Sequence, residues 1–303
     1  MSTPPSLTND ERWPALPYAE WKDTLQTLHM WTQVVGKVRL ALSAHLNHWW
    51  EVPYYVSARG LTTSAIPYGG GIFEIEFDFV EHVLRIETSR GETEVLDLKP
   101  QSVADFYREF MAALKSLGIA VKIWPMPVEV ANPIRFDEDR LHASYESSYV
   151  ERFWHILVSL QPIFQEFRSN FLGKSSPTHF FWGSFDLAVT RFSGRRAPER
   201  PGADKVTREA YSHEVSSVGW WPGDAELGGP AFYSYAAPEP ADFRDSPVKP
   251  AQAHYDDRLK EFLLLYDDVR TAADPRAAIL EFCQTTYEAA ANLGKWDRAS
   301  LER

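Results

Sequence analysis

The chain has 303 residues, 44% hydrophobic and 24% charged, which excludes a disordered polymer and leaves room for one large domain or two ordinary ones. Its formal charge of −11 repels phosphate backbones, and the densest basic cluster, Arg195-Arg196 to Arg200, is broken by Pro198 and Glu199, so nucleic acid is not an expected partner. No window approaches the roughly 20 apolar residues of a membrane span, residues 1–14 do not read as a secretory signal and Cys283 stands alone, so a cytoplasmic protein off the membrane is expected.

Residues 1–17, polar and Pro-rich, read as a flexible tail. Trp21, Leu25, Leu28, Trp31, Val35, Val38 and Leu42 then recur at three- and four-residue steps, which predicts a helix with one buried stripe. Phe73, Ile75, Phe77 and Phe79 alternate with acidic residues. Leu84 and Ile86 alternate likewise, and Ser89-Arg90-Gly91-Glu92 is a turn signal before Val95–Leu98, so an antiparallel meander is expected. Ser102 and Asp105 resemble a capping box for a helix through Leu117, which Gly118 ends. Ala120–Trp124 reads as a strand.

The second half opens on another long helix, with Ser148 and Glu151 as its expected capping box and Pro162 as an expected kink. Strands are expected at His179–Phe192, Tyr211–Val218, Ala231–Tyr235 and Glu261–Leu265. A last helix has Asp274 as N-cap, Pro275 in its first turn and Gly294 at its end. The fold class is therefore α+β, with antiparallel sheets packed on long helices. Helix, meander and helix occur in both residues 18–140 and 141–303. His48-Trp49-Trp50 and His179-Phe180-Phe181 each follow a long helix and are expected to open a strand, which leaves tandem related halves open.

The segments HFFWGSFDLAVTRFSGRRAP (His179–Pro198), REAYSHEV (Arg208–Val215), LPYAEWKDTLQTLHMWTQVVGK (Leu16–Lys37) and HWWEVPYYVSARGLTTSAIPYG (His48–Gly69) resemble a bacterial family of domains of unknown function. The likeness spans nearly the whole chain and implies no activity, cofactor or catalytic residue.

Chemistry must then come from the residues. Gly173-Lys174-Ser175 imitates the end of a phosphate-binding loop, but Arg168 stands where the leading glycine belongs. If His179–Arg191 is one regular strand, His179 and Arg191 share a face with an apolar row, and Asp186 sits among apolar neighbours on the other. His179, Asp186 and His213 are thus the candidate acid–base groups. Arg191 is the candidate clamp for a carboxylate or phosphate, and Trp50, Trp182 and Trp220 are candidate stacking surfaces. No metal site is expected, the alternative being His45, His48 and Glu51 at three-residue spacing if the first helix continues through them. His29 and His142 read as surface or core residues. Two functions fit: an enzyme acting on a small anionic or planar molecule in an aromatic-lined cleft, or a non-catalytic protein holding such a ligand or a partner. The sequence specifies neither cofactor nor oligomeric state.

Overall fold

A computed structural model describes residues 8–303, the side chain of Asn9 excepted. The first seven residues of the expected tail lie outside the described residues. Residues 8–17 depart from that expectation: α1 (Asn9–Arg12) leads into Trp13 and Leu16, both buried, and Ser159 and Tyr266 donate hydrogen bonds to the carbonyls of Arg12 and Pro14.

The first long helix, α2 (Tyr18–Leu42), carries more than one buried stripe. Every residue from Met30 to Arg39 is buried, so the helix is enclosed all round. All but one of the polar side chains in this stretch find a partner: Thr32 bonds the His29 carbonyl, Gln33 both backbone groups of Val128, and Arg39 the Pro53 carbonyl.

The expected meander forms the first sheet. Strands β1 (Tyr55–Val56), β2 (Gly60–Thr62), β3 (Ile66–Tyr68), β4 (Gly71–Asp78), β5 (Val83–Thr88) and β6 (Thr93–Asp97) run in the order β1-β2-β4-β5-β6, with β3 also on β4. Helix α3 (Val103–Ser116) begins as expected, the Ser102 hydroxyl accepting the Asp105 amide at 3.1 Å, and Gly118 adopts φ +72° beyond its end. Ala120–Trp124 is not a strand. It belongs to an irregular loop, whose Val128 is bonded in both directions by the Gln33 amide instead of by a neighbouring strand.

Helix α4 (Ser147–Ser169) runs with Pro162 inside it. Its expected capping box is absent: the helix starts before Ser148, Glu146 occupies the cap with no side-chain bond, and Glu151 instead meets His82 at 3.1 Å. The second sheet comprises β7 (His179–Phe181), β8 (Asp186–Arg196), β9 (His213–Trp221), β10 (Ala231–Ala237), β11 (His254–Asp256) and β12 (Glu261–Leu265), in the antiparallel order β11-β12-β10-β9-β8-β7. Helix α5 (Lys205–Ala210) lies between β8 and β9. Helices α6 (Tyr266–Arg270), α7 (Pro275–Leu293) and α8 (Arg298–Leu301) close the chain, with Asp274 capping α7 through the Ala277 amide at 3.0 Å.

The single strand expected over His179–Phe192 is instead a hairpin. Residues 182–185 turn the chain, Phe185 takes φ +59°, and Phe181 pairs with Asp186. The turn reverses the expected faces, because paired residues point the same way. His179 pairs with Ala188, and thus shares its face with Asp186, while Arg191 lies on the opposite face with Leu187 and Val189.

His48-Trp49-Trp50 does not open a strand either, since Asn47–Trp49 is a 3-10 turn. Just after it the two sheets meet edge to edge. The Tyr54 amide donates to the Phe180 carbonyl at 2.8 Å, and the Phe180 amide to Tyr54 at 2.9 Å. One cluster of buried apolar side chains runs from Trp13 to Trp296 beneath both sheets. Among the described residues, no helix is long and apolar enough to cross a membrane.

Candidate functional site

His48 and His213 lie together, and Trp50 links them to His179 beside the seam between the sheets. His48 and Trp49 both hold left-handed backbone, φ +60° and +61°, a conformation that costs L residues roughly 1–2 kcal/mol each. That bend sets the His48 ring 4.7 Å from Phe192, 5.3 Å from Trp50 and 5.7 Å from His213, centre to centre. Trp50 in turn lies 5.8 Å from the His179 ring.

Lys174 completes the group. Residues 174–176 lie along β8, with the Phe192 amide donating to the Lys174 carbonyl at 3.0 Å and the Ser176 amide to Thr190 at 2.8 Å. This places the Lys174 ammonium 4.8 Å from the Phe192 ring centre and 5.0 Å from that of Trp50. Its Nζ is 2.7 Å from His48 Nε2. His48 Nδ1 faces the Glu209 and Ala210 carbonyls at 3.1 and 3.2 Å, so Nδ1 carries the proton and Nε2 accepts from the ammonium.

No carboxylate of the described residues pairs with this cation. Burial lowers the Lys174 pKa, and burial together with the Lys174 charge lowers those of His48 and His213, Arg196 adding to the effect at His213. Burial, then the charges of Arg39 and Arg168, push His179 down to about 3. His179 is fully buried and its Nδ1 has no hydrogen-bond partner. All three rings are therefore neutral near pH 7. Lys174 and Arg168 also line an open, polar cleft of about 640 Å³ with Gln165, Asn170, Gly173 and Ser175.

Asp186 shares the sheet face but has other company. Its carboxylate accepts from Ser184 and Tyr233, and burial raises its pKa. Glu129 is raised by burial and by Asp186. Glu261 is pushed up to about 7 by burial, then by Asp186 and Asp256. These acids act on one another, and none of them hydrogen-bonds His48, His179 or His213.

Arg191 is far from a clamp. It is 1% exposed, donates to the Phe167 carbonyl and lies over the rings of Phe167, Tyr287 and Phe171 at 3.5, 4.3 and 5.0 Å. Trp220 packs in the core against Phe153 and Tyr266, and Trp182 is buried against Gly36 with its indole N–H on the Val52 carbonyl. Of the three candidate tryptophans, Trp50 alone joins the histidines.

The alternative metal set is dispersed, because α2 has already ended. His45 donates from both nitrogens, to Glu51 at 2.7 Å and to Glu209 at 2.8 Å, while His48 turns to Lys174. Among the described residues, no group of three or more His, Cys, Asp or Glu side chains is arranged to hold a metal ion.

The site residues that sequence reasoning missed are Lys174, seen there only as part of an incomplete phosphate loop, and Phe192. Lys174 meets His48 across 126 positions, a contact without local signal. No curated protein and no solved structure matches the chain. Residues 13–303 match the model of a family of unknown function, DUF5996, and the chain belongs to that family.

Proposed function

We propose that the protein binds a small carboxylate- or phosphate-bearing molecule at Lys174, with His48 and His213 beside it and Trp50 forming a wall. The observation that carries this reading is the unpaired Lys174 ammonium. In a chain with 42 acidic and 31 basic side chains, a cation with aromatic and imidazole neighbours but no carboxylate offers an anion its counter-charge. The unsatisfied Nδ1 of His179 and the adjoining cleft support it further.

Acid–base chemistry on the bound molecule is the second reading, and His213 is the observation that favours it. Its Nδ1 meets the Ser212 hydroxyl at 3.1 Å, its Nε2 has no hydrogen-bond partner among the described residues, and its lowered pKa leaves the ring able to accept a proton at neutral pH. Asp186 has no part in this reading.

Titration calorimetry with inorganic phosphate and with benzoate tests the binding. The protein should take up one of them, more weakly as salt is raised, and Lys174→Met should lose about tenfold or more in affinity. Equal affinity in both proteins, or no uptake of either anion, would sink the proposal.

A further inference from the structure

Lys37 is the one buried cation of α2 whose charged end has no hydrogen-bond partner among the described residues. The residue is 5% exposed. Its Nζ lies 4.8 Å from the ring centre of Trp124 and 5.9 Å from those of Phe136 and Trp182. Three segments build this cage. Gln33, one turn earlier on α2, pins the loop that carries Trp124 and Phe136 by its two bonds to Val128. His29 holds the 182–185 turn through the Trp182 and Gly183 carbonyls at 3.0 and 2.9 Å. Gly36 lets the Trp182 ring lie directly on the helix, since an added Cβ would clash with that ring.

A leucine or methionine would fill such a space without removing a charge from water. The outer wall is also unusual, because Trp124 is 64% exposed, the only exposed tryptophan among the described residues. A side chain with so little packing can swing away from the amine at small cost.

We propose that Lys37 is a nucleophilic amine that condenses with small aldehydes behind Trp124. The nitrogen lone pair bonds the carbonyl carbon, the carbonyl oxygen takes up a proton to give a carbinolamine, and an imine forms. Water leaves with that oxygen and both amine hydrogens, so no oxidant or reductant is consumed. Burial in an apolar cage favours the neutral, reactive form and holds Lys37 down to about 8. The site is distinct from the Lys174 cluster, and its test is independent of anion binding.

The whole protein would be incubated with benzaldehyde and cyanoborohydride, which reduces the imine to a stable benzylamine, and the labelled peptides weighed by mass spectrometry. The exposed Lys22 and Lys115 serve as internal standards. At pH 8 roughly half of Lys37 is neutral against about 0.4% of an ordinary lysine, so Lys37 should carry at least about tenfold more label. That excess should vanish when the protein is unfolded in urea. Labelling of Lys37 in the folded protein at or below the level of Lys22 and Lys115 would overturn the proposal.

Discussion

Arg191 and Glu261 illustrate two ways of burying an ionisable group, and each predicts a measurable response. Arg191 fills a slot between aromatic rings with no carboxylate paired to it, and burial lowers its pKa to about 10 although the Glu302 charge opposes this. Arg191→Ala loses those contacts and leaves a cavity, and should cost about 3 kcal/mol in urea denaturation. Arg191→Met, which refills the space without a charge, should cost well under half of that. Equal losses would show that the charge itself matters.

Glu261 works in the opposite direction. Its pKa is raised from 4.5 to about 7, so the folded state favours the protonated carboxyl. The associated stability is fully present below about pH 4.5 and is lost as the pH rises through 7. Glu261→Gln should therefore stabilise the protein at pH 8, by on the order of 1–2 kcal/mol after allowance for partial exposure, and change little at pH 4.5. Denaturation curves at the two pH values decide this, and a gain that is larger at pH 4.5 would reverse the assignment.

At the scale of elements, two capping boxes of similar spelling have different fates. Ser102 accepts the Asp105 amide, whereas Ser148 lies inside the first turn of α4 and bonds only the exposed Glu146 carboxylate, at 3.4 Å. Ser102→Ala should cost about 1 kcal/mol and Ser148→Ala almost nothing, as read from chemical denaturation. Helices and the first meander were legible because their apolar residues repeat with the period of the element. The 179–186 hairpin was not, since its turn contains Trp182 and Phe185, residues that read as strand, and only tertiary packing fixes Phe185 at positive φ. Missing that turn reversed the faces. Read as one strand, the segment puts Arg191 with His179 and Asp186 on the other side.

Over the whole molecule, the continuous apolar cluster and the Tyr54–Phe180 bonds predict joint folding. Scanning calorimetry should record a single transition, and fragments 1–140 and 141–303 made separately should each lack cooperative unfolding. A fragment that melts sharply alone would break this expectation. The candidate site was legible in part: His48, His179, His213 and Trp50 stood out as polar or aromatic groups in unusual settings. The meeting of His48 and Trp50 with Lys174 depends on contacts between distant halves, which no local pattern encodes.

The bond pair Tyr54–Phe180 adjoins His179, whose ring lies 5.8 Å from that of Trp50. Trp50 belongs to one side of that junction and Lys174 to the other, so a molecule lodged between them would act as a clasp. Amide hydrogens of Tyr54 and Phe180 should then exchange more slowly with deuterium in saturating benzoate or phosphate, while those of distant β6 keep their pace.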